Sequence, residues 1–314
     1  MADEQHEQSP RPKTVGNLLA QQRFIQRHSA FLTEYPKIAE LCEKVFNRTL
    51  VPPGAIEYQQ LLVQNPKEDD PAVIAWEERL TASYLIFQLG IMAADDFTTV
   101  LLLTGNGAGF ASFIHLRSIY ERLVHAMYMA LRTSEALVFA DSSPINKLNY
   151  LTRLVKFIPA LKQRYDDAFM EQLRKDAEVS RAARKQSICS KCKQPTTQHA
   201  WTRVSLDSMA CEVDRTLGEL YGVIYLEGTN QAHANSMGME RRLEEIEGGY
   251  RYKALSENEA AVALRYAHYL MLRLLMMQDD HFGLGLNKGI QERMAKFEQV
   301  WLPEPTTDQS GGAV

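Results

Sequence analysis

The strongest constraint in this sequence is the helical spacing of its apolar residues, which continues through almost every segment between residues 15 and 302. We identify no segment that alternates like a half-buried strand and no β-hairpin turn pair. The sequence therefore predicts an all-α fold. We expect a multi-helix bundle with an N-terminal helical extension and an inserted Cys-x-x-Cys loop.

The apolar spacing and the turn residues together give the bounds of the predicted helices. These helices are 15–32, 35–48, 54–64, 71–104, 109–132, 144–182, 203–235, 256–281 and a short one at 288–299. Ser256 with Glu259 three residues later forms a capping box, which fixes the start of one long apolar helix. Gly283 and Gly285 are expected to end that helix.

Composition and helix spacing divide the chain into four parts. Polar segments at both ends are predicted to be disordered tails, because they contain too few apolar residues to form a core. The predicted parts are a tail at 1–14, the helical extension at 15–70, the bundle domain at 71–302 and a second tail at 303–314. Within the bundle domain, residues 183–202 are poor in aliphatic side chains and are interpreted as the inserted cysteine loop.

Charge and cysteine usage limit the functional classes. The formal net charge is −4, whereas dedicated nucleic-acid-binding proteins usually carry a basic excess, so nucleic acid stays open as a partner without support from net charge. The N-terminal sequence MADEQHEQSPRPK is polar and lacks the apolar core of a secretory signal. We therefore predict a cytoplasmic protein, in which its four cysteines are thiols or metal ligands rather than disulfides.

The most apolar stretch extends from Tyr84 to Leu116. Asp95 and Asp96 divide it, and three glycines follow, so neither half reaches the roughly 18 uninterrupted apolar residues of a membrane span. We predict no membrane partner from this stretch. The two aspartates are interpreted as a solvated pair.

The predicted helix 109–132 has two unlike faces on a helical wheel. Its apolar arc contains Phe113, Leu116, Tyr120, Leu123, Val124, Met127 and Leu131. Its wetter side contains His115, Ser118, Arg122 and His125.

Arg117 falls at the edge of the apolar arc of this helix, where its charge needs a partner. Glu121 lies four residues later on the same face and is the natural partner. Two interpretations stay open at this point. The pair joins the helix to a neighbour, or it lines a polar pocket, since sites in helical bundles are built from inward-facing charged residues.

The predicted helix 203–235 carries a second polar row. Tyr221 and Tyr225 share a face at i, i+4 spacing, and His233 lies roughly on that face again. This row could line a pocket in which the histidine acts as a general acid or base. Alternatively, the segment is a helix end whose polar side chains satisfy unpaired backbone groups.

Two motifs together, Leu116-Arg117-Ser118-x-x-Glu121 and Tyr225 followed by His233-x-x-Ser236, carry a resemblance over roughly residues 75–240. The chain resembles a bacterial all-helical family that is catalogued only as a domain of unknown function. The resemblance implies a site in which Arg117 and Glu121 face Tyr225 and His233. In that family a serine usually stands shortly before the histidine, where this chain has Thr229 and Asn230.

A more distant similarity is to small helical nucleases of bacterial toxin and phage-defence systems. Their signature is an arginine, four to six residues and then a histidine, and Arg23 to His28 is the match here. Neither Arg117 nor His233 has this spacing.

The cysteine loop predicts a candidate zinc site. Cys189 and Cys192 have the spacing of a zinc knuckle, and His199 and Cys211 follow. Four such ligands would form a closed, structural tetrahedral site. The alternatives are an unliganded loop, a metal shared between two subunits and a redox pair, although the last lacks the expected strands.

Two functional hypotheses follow. The preferred one is a non-catalytic interaction or regulatory module in which Arg117, Glu121, Tyr225 and His233 form a buried polar cluster. The alternative is a ribonuclease or toxin-like effector of a bacterial stress or phage-defence system, in which Arg117 binds phosphate, Glu121 orients it and His233 transfers a proton. The amphipathic helix 15–32 favours a homodimer, and a protein partner fits the preferred hypothesis.

Overall fold

The structure is a computed structural model that describes residues 17–64, 67, 70–183, 187–188, 195–196, 202, 204–233, 235–253 and 255–301. Most of these residues are helical, which confirms the predicted helical class. In the first half the helices are α1 (Leu18–Arg27), α2 (Ser29–Phe46), α3 (Ala55–Val63), α4 (Pro71–Gly105), α5 (Gly109–Leu131), α6 (Ser134–Ala140), α7 (Ser143–Phe157) and α8 (Asp167–Ala183).

The second half combines shorter helices with four short strands. The strands are β1 (Ser187–Ile188), β2 (Pro195–Thr196), β3 (Leu243–Ile246) and β4 (Gly249–Tyr252). The helices are α9 (Leu206–Val213), α10 (Arg215–Leu220), α11 (Glu227–Ala232), α12 (Ser236–Glu240), α13 (Glu257–Phe282) and α14 (Asn287–Trp301). A 3₁₀ turn (Pro159–Gln163) follows α7, and a π-helical turn (Tyr221–Leu226) joins α10 to α11.

Helices α4, α5 and α13 form the centre of the bundle and pack most extensively against one another. Helix α5 is buried on most sides, with Leu116, Ile119, Tyr120 and Leu123 fully enclosed. Helix α2 contributes residues such as Phe31 to the same hydrophobic core. The predicted apolar arc of α5 was correct over its first turns but wrong at Leu131, which is exposed at the end of the helix.

Local capping explains the ends of the long helices. The Asp70 side chain accepts a hydrogen bond from the amide of Ala72 and begins α4, with Pro71 at its first position. The Ser256 hydroxyl accepts from the amide of Glu259 at 3.3 Å, which confirms the predicted start of α13. Gly283, with a φ of 62°, ends that helix in the left-handed conformation, as expected.

Several predicted boundaries were wrong. Pro36 lies inside α2, and the break between the first two helices is at His28. The predicted helix 144–182 is interrupted after Phe157, because Pro159 has no amide hydrogen to continue the helical ladder. The predicted helix 203–235 is interrupted at Asp214, whose carboxylate caps a new helix by accepting from Thr216.

The prediction of an all-α chain without strands requires correction, because β3 and β4 form an antiparallel hairpin. Glu247 and Gly248 make its two-residue turn, and Gly248 supplies the positive φ of 85° that such turns require. The hairpin is mostly exposed, so its residues do not alternate apolar and polar as those of a half-buried strand do. The adjacent glycines Gly248 and Gly249 were its signal in the sequence.

Strands β1 and β2 pair antiparallel through Ser187 with Thr196 and Ile188 with Pro195. The predicted Cys-x-x-Cys motif falls between them. Cys189, Cys192 and His199 lie outside the described residues.

Helices α7 and α8 pack together around a second, smaller apolar cluster. Its buried members include Leu148, Leu151, Met170 and Leu173. This helical hairpin therefore has a core of its own.

One helix, α4, is long and apolar enough to cross a membrane by length and composition, and 39% of its most apolar window is buried in the bundle. The core helix of a bundle can pass the same test, and α4 packs along both α5 and α13.

Candidate functional site

The structure brings three of the four predicted site residues together on one side of α5. Arg117 projects from α5 at the edge of the core, with a side chain that is 24% exposed. Glu121 lies one turn further along the same helix, and the two side chains approach to 4.0 Å. Tyr225 reaches them from the π-helical turn.

Tyr225 makes the closest contacts with the Arg117 guanidinium. The Cζ atom of Arg117 lies 4.7 Å from the centre of the Tyr225 ring, within the range of a cation–π interaction. One guanidinium nitrogen also donates to the Tyr225 hydroxyl at 3.3 Å. The Nε atom of Arg117 is buried and has no hydrogen-bond partner among the described residues. The Arg117 charge is therefore held mainly by an aromatic ring and only loosely by a carboxylate.

The π-helical turn presents Tyr225 as part of a stack of tyrosines. The Tyr221 and Tyr225 rings stack with centroids 5.1 Å apart, and the Tyr120 ring of α5 lies 6.4 Å from Tyr225. The Tyr120 hydroxyl donates to the carbonyl of Leu217 at 2.7 Å, and burial raises the pKa of Tyr120 well above its ordinary value. Tyr120 is therefore a packing and hydrogen-bonding group whose hydroxyl remains protonated near neutral pH.

Gly228 brings α11 into direct contact with the stem of Arg117. A Cβ atom at Gly228 would lie 2.5 Å from the Cβ of Arg117 and 2.5 Å from the carbonyl oxygen of Phe113. Real side chains do not tolerate such distances, so a glycine is required for α11 to approach α5 this closely. Helix α11, which directly follows the turn that carries Tyr225, therefore packs closely against α5 at Arg117.

His233 does not join the other three residues. Among the described residues, no hydrogen bond, ion pair or ring contact connects it to Arg117, Glu121 or Tyr225. Helix α11 ends at Ala232, and His233 adopts an extended backbone with φ −109° and ψ 143°. Its exposed side chain therefore leaves the helix face on which the sequence placed it.

The polar residues around His233 bind local backbone groups. This agrees with the alternative prediction that the segment is a helix end. Thr229 donates its hydroxyl to the carbonyl of Tyr225 at 2.7 Å. Asn235 accepts from the amide of Gly238 at 2.8 Å and so caps α12. Asn235 also donates to the side-chain oxygen of Asn230 at 3.1 Å. Thr229 and Asn230 thus help to shape this helix end.

An open groove of about 340 Å³ lies where α11 meets α12 and the β3–β4 hairpin. Its lining includes His233, Gln231, Met239, Arg242 and Tyr252. The sequence interpretation missed Arg242, which directly precedes β3, because the strands that follow it were not recognised.

Glu227 is a second buried polar residue of this region that the sequence interpretation missed. This buried carboxylate forms an ion pair with Arg241 at 2.8 Å and accepts from Gln231 at 3.0 Å. A buried acid with a dedicated basic partner stabilises the junction of α11 and α12. An i, i+4 spacing to Gln231 was its only signal in the sequence.

Asp96 was wrongly interpreted as part of a solvated pair. Its side chain is 13% exposed and joins α4 to α5 by contacts with His115 and Arg122. The Nδ1 atom of His115 lies 2.8 Å from the carboxylate, and burial lowers the pKa of His115. The predicted wetter side of α5 is therefore partly covered by α4.

The candidate zinc site remains a prediction, because three of its four proposed ligands lie outside the described residues. Cys211 is described and lies exposed in α9, where it forms no disulfide with another described residue. A Cβ atom at Gly218 would lie 2.5 Å from its Sγ atom, so the Cys211 thiol packs against the backbone of α10. Among the described residues, no group of three potential metal ligands comes together.

The comparison with known families identifies the region that carries these features. A family model described as a family of unknown function, DUF5677, matches residues 92–250, just over half of the 314 residues. The matched region contains Arg117, Glu121, Tyr225 and His233, which confirms the resemblance on which these residues were chosen. No curated protein and no solved structure matches the chain. The chain belongs to the DUF5677 family of unknown function.

Proposed function

We propose that this protein is a non-catalytic interaction or regulatory module, in which Arg117, Glu121 and Tyr225 hold the π-helical turn and α11 against α5. Three observations support this proposal. The guanidinium of Arg117 is covered by the Tyr225 ring. Gly228 fits against the stem of Arg117. Tyr221 continues the tyrosine stack on the side of α10.

The separation of His233 from Arg117 carries the proposal. In a phosphate-cleaving enzyme, the arginine that binds the phosphate and the histidine that transfers the proton act on neighbouring atoms of one substrate. A proton-transfer group must come within about 3 Å of the atom that it protonates. Here His233 lies beyond the end of α11 and lines a groove whose walls do not include Arg117.

One observation favours the alternative of a ribonuclease or toxin-like effector that uses Arg117, Glu121 and His233. The His233 side chain is exposed and, within the described part of the chain, makes no hydrogen bond that would occupy its ring. A histidine in this state is available to a ligand. A long substrate such as RNA could then contact both Arg117 and His233, although the two residues do not touch each other.

An RNA hydrolysis assay separates the two functions. Wild-type protein and the His233→Ala and Arg117→Met variants are incubated with a labelled RNA of mixed sequence, and the thermal stability of each is measured in parallel. We expect no hydrolysis that depends on His233, and a lower melting temperature only for Arg117→Met. Hydrolysis by the wild type that is lost in a fully stable His233→Ala variant would contradict the proposal and establish the alternative.

A cytoplasmic location, a homodimer and a structural zinc ion bound by Cys189, Cys192, His199 and Cys211 are part of the same proposal. They rest on the sequence alone. Native mass spectrometry with metal analysis of the same sample tests the last two together. A zinc-containing dimer is the expected result, and a metal-free monomer would contradict both.

A further inference from the structure

We propose that the groove at the end of α11 binds a small phosphate monoester that carries an apolar or aromatic group. Arg242 would bind the phosphate, His233 would donate a hydrogen bond to it, and the hairpin would cover the apolar group. This proposal deepens the function proposed above, because it names a ligand for the module. None of its residues belongs to the Arg117 cluster, so the two proposals fail independently.

Arg242 is held in place by neutral partners. Its Nε and one terminal nitrogen donate to the side-chain oxygen of Gln231 at 3.2 and 3.1 Å, and the other terminal nitrogen donates to the Tyr252 hydroxyl at 2.9 Å. The guanidinium also lies over the buried Phe110 ring, 5.1 Å from its centre. These contacts use three of the five N–H donors of the arginine and fix its orientation, which leaves two donors for a ligand.

Arg242 differs from the arginines around it in the partners that the described residues provide for its positive charge. Arg241 pairs with Glu227 at 2.8 Å, and Arg251 pairs with Glu244 at 2.6 Å. Within the described part of the chain, no acidic side chain forms an ion pair with Arg242. A partly buried guanidinium that is oriented by neutral groups is suited to an anion, and its planar fork matches phosphate oxygens.

The groove supplies a second donor and an apolar wall. His233 stands at the end of α11 on its rim and can donate from its ring to a phosphate oxygen. Met239, Leu243 and Tyr252 contribute the apolar part of the lining. A volume of about 340 Å³ is within the usual range for small-ligand sites and exceeds the needs of a bare phosphate ion.

Phenyl phosphate is the probe that tests this inference, with phenol and inorganic phosphate as its two halves. Binding to the full-length protein is measured by isothermal titration calorimetry at low salt. We expect phenyl phosphate to bind at least tenfold more tightly than either phenol or inorganic phosphate. Equal affinity for phenol would overturn the anion requirement, and equal affinity for inorganic phosphate would overturn the apolar part of the ligand.

Substitutions then locate the site. We expect Arg242→Gln to weaken phenyl phosphate binding at least tenfold and His233→Ala to weaken it several-fold. Arg251→Gln, on the same hairpin, is the matched control and should leave binding unchanged. His233 is exposed, so its variant tests the groove even if Arg242→Gln fails to fold. Unchanged binding in His233→Ala, or an equal loss in Arg251→Gln, would overturn the proposal.

Discussion

At the scale of single residues, the contact between Arg117 and α11 depends on a glycine, which has no side chain. Gly228 allows the backbone of α11 to approach the Cβ of Arg117 and the carbonyl of Phe113. The position of Tyr225 over the guanidinium follows from this approach. The polar cluster and the close packing of the two helices are therefore one feature.

Replacement of Gly228 by alanine tests the close approach. The new methyl group would overlap with α5, so we expect Gly228→Ala to lower the free energy of unfolding by about 1–3 kcal/mol. Gly222→Ala is the matched control, because a Cβ atom there meets no described atom within 4 Å. Urea denaturation of both variants provides the measurement. An equal effect of the two substitutions would show that α11 does not rest on Arg117.

The buried His268 makes stability depend on pH. It is 1% exposed and accepts a hydrogen bond from Trp301 at 3.0 Å, and burial lowers its pKa from 6.5 to about 4. Between these values the unfolded chain binds a proton that the folded chain does not. The contribution of His268 to the unfolding free energy is therefore fully present above pH 6.5. It falls as the pH decreases towards 4, by up to about 3 kcal/mol.

The His268→Gln variant isolates that contribution, since glutamine keeps an acceptor for Trp301 but does not titrate. We expect a smaller loss of unfolding free energy between pH 7 and pH 5 in this variant than in the wild type. His233→Gln, which replaces an exposed histidine, should retain the loss seen in the wild type. Identical pH dependence of all three proteins would exclude His268 as the source.

The sequence was sufficient to predict that Arg117, Glu121 and Tyr225 lie close together, because a charged residue beside an apolar arc needs partners and the resemblance named them. It was not sufficient to place His233. A helical wheel assumes that the helix continues, whereas α11 ends one residue earlier and turns that side chain away. Arg242 was missed for a related reason, because its role depends on tertiary contacts with Gln231 and Tyr252.

At the scale of secondary structure elements, α2 and α14 are joined by an ion pair with little solvent exposure. The Glu34 and Arg293 side chains are each 10% exposed and lie 2.6 Å apart. Burial alone would raise the pKa of Glu34, but its contacts with Lys37, Arg293 and Lys296 lower it. The pair is therefore charged in the folded protein at neutral pH.

Removing one charge of the Glu34–Arg293 pair should lower the unfolding free energy more than removing both charges. We expect Glu34→Gln to destabilise the protein by about 3 kcal/mol, because the Arg293 charge then keeps only its longer contact with Glu292 at 3.4 Å. The double variant Glu34→Leu/Arg293→Met should recover most of this loss. Glu40→Gln is the control in the same helix, since the exposed pair of Glu40 and Lys44 should contribute almost nothing. A double variant less stable than Glu34→Gln would contradict this view.

Elements with strong caps were predicted well, and elements that depend on tertiary packing were not. The capping side chain of Ser256 and the terminal Gly283 gave both ends of α13 to within one residue. The π-helical turn has no signature in the spacing of its residues, and it forms where Tyr221 and Tyr225 stack beside α5. The hairpin is too exposed to show strand periodicity.

At the scale of the whole molecule, the hydrophobic side chains form two cores of unequal size. The main core joins α2, α4, α5 and α13, whereas the α7–α8 hairpin encloses a small cluster and exposes apolar side chains such as Phe157 and Val179. Regions with little buried apolar surface open more readily than the central core.

Hydrogen exchange measured by mass spectrometry should resolve these two cores. We expect peptides from α7 and α8 to exchange much faster than peptides from α5 and α13, because opening the hairpin exposes only its own small cluster. The exposed β3–β4 hairpin serves as an internal reference for fast exchange. Equal protection of α7–α8 and α5 would show that they open together, against this account.

The most direct test of the central claim is a double-mutant cycle on Arg117 and Tyr225. Arg117→Met removes the charge but keeps an apolar stem against Gly228, and Tyr225→Leu removes the ring that covers the charge. The urea unfolding free energies of the wild type, both single variants and the double variant give the coupling. If the cluster is structural, we expect a coupling of at least about 0.5 kcal/mol and a smaller one for Arg117 with Glu121. Additivity within about 0.3 kcal/mol would contradict the account, because Arg117 would then be available to a ligand rather than committed to holding α11.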